Sequence, residues 1–273
     1  SNMVGSTFHI TSKYLKRVVK SHIFKSAYDP SITPITIIFN DGQDFNALKI
    51  SQTFEFYQAK YPHIPIVIIG IDAGDRINEY GCSYKNDYKN RGNKALEYRS
   101  FIINEFVPYL KSNLQLKLEK SKTGFAGFSM GGLSAMDISL HNPDLFGFIG
   151  VFSGSFWWRY EPFTDDDPDG CRIMHEYIER SALKTGQRFW FQAGTKDEDC
   201  DRNGNGIIDS IDDTLDVIHC LEKKGFIKDK DLTYCEVKNG THDPFTWGHI
   251  MPVFLDWVLS PLASHYLSKS KTA

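Results

Sequence analysis

The sequence predicts an α/β protein with a mostly parallel central sheet, helices on both faces and antiparallel strands at its N-terminal edge. Three observations carry this reading. Strand-like apolar runs alternate with segments of helical period almost throughout the chain. The central runs are continuously apolar rather than alternating, as expected of strands covered on both faces. Residues 8 to 27 alternate only loosely, which suits a half-exposed strand pair at a sheet edge.

Taken in order, Ile10, Tyr14, Leu15, Val18, Val19, Ile23 and Phe24 mark that edge pair. Ile35-Thr36-Ile37-Ile38-Phe39 is a β-branched run stopped by the turn signal Asn40-Asp41-Gly42. Ala47 to Tyr61 has helical period. Ile64 to Ile71 is a second buried strand, closed by Asp72-Ala73-Gly74. Ala95 to Lys111 reads as one long helix with Phe101, Ile102, Phe106, Val107 and Leu110 on one face. Strands follow at Phe146 to Phe152, Arg188 to Ala193 and Leu232 to Val237. Helices are expected at Leu133 to His141, at Asp212 to Lys224 with Gly225 as its stop, and at Phe245 to Leu259. Pro252 inside the last pattern predicts a kink or a late start.

Length and composition bound the function. A chain of 273 residues that is 41% hydrophobic can bury a large core, and one domain is expected over 4–273, with Ser1-Asn2-Met3 read as a tag remnant. A net charge of −3 gives no electrostatic case for nucleic acid or an anionic membrane, and no run has the length of a membrane span. Five cysteines without a Cys-x-x-Cys pair argue against a disulfide framework and for a reducing compartment, the cytoplasm. Self-association is left open.

The chain is organised around Thr123 to Gly132. An apolar run leads into Gly127-Phe128-Ser129-Met130-Gly131, and a helical pattern follows. A serine on a tight strand-to-helix turn has its hydroxyl pushed out of the backbone, and flanking glycines remove the Cβ atoms that would clash. The free N–H groups of the helix start favour negative charge beside it, so the backbone N–H of Met130 is expected to donate to an oxyanion. The second donor is expected from the loop after the Phe39 strand, through the backbone N–H of Gln43, with no role for its side chain.

A serine hydroxyl needs a base, and the base needs an acid to orient it. Asp197 is the first carboxylate past the strand ending in Gly194-Thr195, with Glu198 and Asp199 as alternatives. His242 stands in a loop before the last helix and is favoured over His249, which falls within the helical pattern.

These residues resemble the putative-esterase family of α/β-hydrolases, which includes feruloyl and acetylxylan esterases, siderophore esterases, S-formylglutathione hydrolases and mycolyltransferases. The matching stretches are Asn40-Asp41-Gly42-Gln43, Arg76 to Tyr80, Gly127 to Gly132, Ser153 to Trp158, Ala193 to Glu198, and His242-Asp243 with Trp247. The resemblance implies an α/β-hydrolase fold and a serine ester hydrolase acting through an acyl-enzyme, with Ser129, Asp197 and His242 as triad and Gln43 and Met130 as oxyanion donors. An insertion-like stretch, Asp201 to Asp213, departs from the family pattern and keeps the choice of acid open.

That stretch resembles a twelve-residue calcium loop, with Asp201, Asn203, Asn205, Ile207 (through its carbonyl), Asp209 and Asp212 as the oxygen set. No cofactor is required for the chemistry, so a calcium ion there is expected to be structural. Trp157 and Trp158, just past a strand end, are expected to line a substrate pocket, while Arg76, Glu79 and Tyr80 are expected to brace a loop. The expected substrate is a small-molecule or carbohydrate-linked ester. The rival readings are an acyltransferase to a sugar or other hydroxyl, and a non-catalytic carbohydrate-binding member of the same fold.

Overall fold

The computed structural model describes residues 3–184 and 186–266. Residues 1 and 2 of the expected tag remnant and residues 267–273 of the expected domain lie outside the described residues, whereas Met3 opens the first strand. Eight strands form one sheet: β1 (Met3–Ser12), β2 (Arg17–Ser26), β3 (Ile35–Asn40), β4 (Ile66–Ile71), β5 (Thr123–Phe128), β6 (Phe148–Phe152), β7 (Arg188–Lys196) and β8 (Leu232–Thr241), in the order β1-β2-β4-β3-β5-β6-β7-β8. β1 pairs with β2, and β2 with β4, in antiparallel fashion, and every later pairing is parallel. The N-terminal edge is therefore the half-exposed antiparallel pair that the loose alternation predicts.

Every residue of β3, β4, β5 and β6 is buried. The pleat divides β3 between two cores: Ile38 belongs to the one that contains Phe101, Leu133 and Val217, whereas Ile35, Ile37 and Phe39 belong to the one that contains Phe54, Met251 and Phe254. The helices supplying these partners are α1 (Ile50–Lys60), α2 (Arg76–Glu79), α3 (Ala95–Phe101), α4 (Val107–Ser112), α5 (Met130–His141), α6 (Ile173–Arg180), α7 (Asp209–Lys223) and α8 (Pro244–Leu259). α1 and α8 cover one face, and α3 through α7 cover the other.

Some boundaries shift, with α7 starting at Asp209 rather than Asp212 and β8 running on to Thr241 rather than stopping at Val237, and three departures are larger. The long helix expected over Ala95 to Lys111 is broken by a π-helical segment, Ile102–Phe106, just before Pro108. Proline has no N–H for the residue four positions back, so the ladder there must rearrange. Helix α6 has no counterpart in the sequence reading. Helix α8 starts early, with Pro244 in its first turn and the Asp243 carboxylate accepting from the Thr246 N–H, and it runs through Pro252. Among the described residues no helix is long and apolar enough to cross a membrane.

Candidate active site

β5 delivers the chain to Ser129, and α5 carries it away. Ser129 sits between them at φ 57°, ψ −122°, a conformation that costs a non-glycine residue about 1–3 kcal/mol. A Cβ at position 127 would lie 2.2 Å from the Gly131 carbonyl oxygen, so only glycine fits beneath the turn. The strain aims the Ser129 hydroxyl at His242, whose Nε2 lies 2.9 Å from Ser129 Oγ. A second hydroxyl, Ser155 Oγ, lies 3.2 Å from the same atom.

His242 comes from the loop between β8 and α8. Its ring meets the Trp247 indole edge to face, with centroids 5.1 Å apart, and its side chain is 38% exposed. Behind it, Nδ1 lies 3.7 Å from Asp197 Oδ1. Asp197 stands just past β7 with its side chain 1% exposed, and three donors hold its carboxylate: the Gly194 N–H (3.1 Å), Ser210 Oγ (2.8 Å) and Ser153 Oγ (3.0 Å). Ser153 in turn accepts from Trp247 Nε1 at 3.0 Å. Of the alternatives, Glu198 accepts instead from the Ser210 N–H at 2.7 Å, and Asp199 is exposed. Burial pushes the Glu198 carboxyl above its ordinary range; the Ser210 N–H opposes this, and the charges of Asp209, Asp213 and Asp197 add to it. His249 stands exposed on α8.

The residues of the loop after β3 come together against the start of α5. Asp41 adopts φ 60° and opens a 3₁₀ turn, Gly42–Asp44, that contains Gln43. A Cβ at Gly42 would lie 2.4 Å from the Gly70 carbonyl carbon, so the loop hugs the end of β4. Asn40 Nδ2 donates to the Gly131 carbonyl at 2.8 Å, and Asp41 Oδ2 fills the space where a Gly131 side chain would begin. Arg76 clamps Asp41 with two 3.0 Å bonds, while the Asp41 N–H donates to Tyr80 Oη and Glu79 pairs with Arg17. As the first residue of its helix, Met130 has no intrahelical acceptor for its N–H. The Gln43 side chain, given no role by sequence reasoning, bridges Asp41 Oδ1 and the Ala73 N–H, both at 2.8 Å.

Next to His242 lies a cavity of about 170 Å³ lined by Ser153, Gly154, Trp157, Asp197, Glu198 and Ser210. The two tryptophans part company here. Trp157 is 38% exposed and forms a wall, whereas Trp158 is 1% exposed within the core, with no hydrogen-bond partner for Nε1 among the described residues. Trp158 therefore does not line the cavity: its ring packs close to Gly81 and Gly92 in the core.

The insertion-like stretch returns a donor to Asp197, since Ser210 Oγ belongs to it. Within it, Asp201 accepts from the Asn205 and Gly206 N–H groups, Asn203 from the Asn205 N–H, and Asn205 Nδ2 donates to Asp212. These oxygen-bearing residues thus gather around Asn205, while the Ile207 N–H donates to the Asn205 side chain. Asp209 is drawn instead to Arg202, whose side chain is 1% exposed and also meets Asp169 and Asp213. Among the described residues no group of three or more His, Cys, Asp or Glu side chains is arranged to hold a metal ion.

Comparison with known proteins places this geometry in context. The family profile described as "Putative esterase" matches residues 12–256. The uncharacterized protein YbbA of Bacillus subtilis is 29% identical over 184 residues, 64% of this chain and 65% of that protein. A diacylglycerol acyltransferase/mycolyltransferase of Mycobacterium leprae is 31% identical over 114 residues, 41% of this chain and 32% of that one. The crystal structure of an enterobactin esterase from Shigella flexneri superposes with a TM-score of 0.71 at 21% identity, covering 95% of this chain and 60% of that one. This chain thus spans less than two thirds of the length of each of these three proteins.

Proposed function

The chain belongs to the putative esterase family, and we propose that it is a serine carboxylic-ester hydrolase that works through an acyl-enzyme. The observation that carries this is the bond from Ser129 Oγ to His242 Nε2 at 2.9 Å, with Asp197 facing the other ring nitrogen. With Nδ1 turned to a carboxylate, the ring proton resides there and Nε2 accepts. His242 takes the Ser129 proton as Oγ bonds to the ester carbon. The carbonyl oxygen, now negative, is held by the N–H groups of Met130 and Gln43. His242 then protonates the departing alkoxide, and water repeats the sequence to release the acid. The 3.7 Å separation of His242 and Asp197 is long for a hydrogen bond, and such contacts tighten when substrate is bound. On p-nitrophenyl acetate and methyl ferulate, Ser129→Ala is expected to lose roughly 10⁴-fold or more in kcat while keeping its melting temperature. Full activity in that variant would end the proposal.

A second reading keeps the acyl-enzyme and replaces water by a hydroxyl acceptor. It is supported by the similarity to the mycobacterial acyltransferase, and product analysis with added sugars separates the two. The non-catalytic rival predicts sugar affinity with no turnover. Against it stands the 2.9 Å serine–histidine bond, which has no use in a binding module.

Calcium remains a structural proposal for the loop 201–212. Asp201, Asn203, Asn205, the Ile207 carbonyl and Asp212 would hold it, with Asp209 drawn away by Arg202. The ion would brace the turn ahead of Ser210, and no chemical step passes through it. A dialysed protein whose melting temperature ignored both calcium and EDTA would remove the idea. We also propose that the protein works in a reducing compartment, the cytoplasm, a reading that the five free cysteines favour and cell fractionation would test.

A further inference from the structure

The loop after β6 places a second serine against the nucleophile, and the reading above gives it no task. Ser155 is 2% exposed, and its hydroxyl lies 3.2 Å from Ser129 Oγ. Its backbone N–H donates to the Ser129 carbonyl, also at 3.2 Å, so two contacts fix Ser155 on one residue. The approach is built in. Ser153 adopts φ 48°, and a Cβ at Gly154 would lie 2.6 Å from Val151 Cγ1 and 2.7 Å from Phe156. Only a glycine lets the chain double back there and bring Ser155 under the serine turn.

The direction of the hydroxyl–hydroxyl bond follows from proton counting. Ser129 has one hydroxyl proton, and His242 Nε2, at 2.9 Å, is the nearer and stronger acceptor. The bond between the serines must therefore be donated by Ser155. Resting on the acyl-enzyme reading, we propose that Ser155 is a further catalytic residue, whose O–H donates to Ser129 Oγ and acts chiefly on deacylation.

The reason lies in the charge on Ser129 Oγ. During acylation the donated bond blunts the attacking lone pair while steadying the oxygen as its proton leaves, and the two effects oppose each other. Deacylation has no such conflict. Water bonds to the acyl carbon and gives its proton to His242. The carbon–Oγ bond then breaks, its electron pair goes to Oγ, and Oγ recovers a proton from His242 as the free acid departs. A donor on Oγ draws electron density from the acyl carbon before attack and stabilises the pair that Oγ receives afterwards. Both effects favour the step.

The test is stopped-flow turnover of p-nitrophenyl acetate by wild type, Ser155→Ala, Ser155→Thr and Ser129→Ala, with intact-mass analysis of quenched samples. For Ser155→Ala the expected result is a burst of p-nitrophenolate stoichiometric with enzyme, then a steady rate about three- to tenfold below wild type, the value of one neutral hydrogen bond. An acetyl adduct should accumulate on the protein. Ser155→Thr keeps the hydroxyl and should restore the steady rate, which a merely structural role would not require. A wild-type rate in Ser155→Ala, or a fall with no adduct, overturns the role of Ser155 alone. A wild type that neither turns over nor acquires an adduct, like Ser129→Ala, overturns the esterase reading and this inference with it.

Discussion

At the scale of single residues, Asp197, the acid of the proposed triad, depends on side chains that do not themselves move a proton. Trp247 Nε1 donates to Ser153 Oγ, which leaves the Ser153 proton for Asp197 Oδ1, the oxygen that faces His242. Hydrogen bonds to a charged acceptor are the stronger kind. Ser153→Ala should therefore lower kcat/KM roughly ten- to hundredfold by letting the carboxylate rotate. Trp247→Phe keeps an aromatic ring on the Phe128 side, removes the N–H with the second ring of the indole, and leaves the Ser153–Asp197 bond in place, so its fall should be smaller. Steady-state kinetics on p-nitrophenyl acetate checks both, and two variants at the wild-type rate would remove this chain of bonds from the mechanism. Ser129, Asp197 and His242, which the structure brings together, each sit in a short pattern at a strand end, although the sequence alone leaves Glu198 and Asp199 as alternatives to Asp197. Ser153, Ser155 and the Gln43 side chain are not legible in sequence, because their meaning lies in contacts with residues distant in the chain: Asp197, Ser129 and Ala73.

At the scale of elements, the strands were the easier reading. β3 and β4 are continuous apolar runs, and burial on both faces is what produces such runs. Helix α6 has no counterpart in the sequence reading although Ile173, Met174, Tyr177 and Ile178 fall at helical spacing; at eight residues it spans little more than two turns, with charged and polar residues between them. It also buries polar groups against α7. Arg172, before its first turn, bonds Asp213 (2.9 Å) and Asp216 (2.7 Å), and His175 Nε2 donates to the Asp213 carbonyl (2.9 Å). Burial, with Arg172 beside it, pulls His175 well below its usual value of 6.5, so the fold keeps it neutral. Below about pH 6.5 the unfolded chain takes up a proton there that the folded chain refuses. Stability should then fall as pH falls, by at most about 1.4 kcal/mol per pH unit from this one group, with no such loss above that range. Burial raises Asp213 and Glu198, which act with the opposite sign at lower pH, so the informative quantity is a difference between proteins. His175→Gln keeps a donor for Asp213 and has nothing to titrate. Its melting temperature should drop less than that of wild type between pH 7.5 and pH 5, and parallel curves would contradict the assignment.

At the scale of the whole molecule, one sheet spans the chain and brings the carboxyl ends of β3, β5, β6, β7 and β8 to one edge, where residues from five separate segments meet. We expect 4–273 to unfold as one domain, in a single calorimetric transition. The edge also sets the room available to substrate. The cavity beside His242 measures about 170 Å³, well below the roughly 300 Å³ at which pockets for drug-sized ligands begin. Ser153 and Asp197 close one side, and neither can yield without losing the acid. Glu198 and Ser210 are tied to each other at 2.7 Å. Of the other lining residues, Gly154, His242 and Trp157, only Trp157 offers a large apolar side chain as a wall; it is 38% exposed and stacks on buried Trp158 at 5.9 Å, so it can be removed with little loss of core. We propose that the acyl group enters this small space beside His242, so acetate and butyrate esters should be turned over well ahead of octanoate. Trp157→Ala opens that wall to solvent and to longer chains, and should raise the octanoate-to-acetate ratio of kcat/KM several-fold. An unchanged ratio would mean that the acyl group lies elsewhere and that Trp157 faces the alcohol.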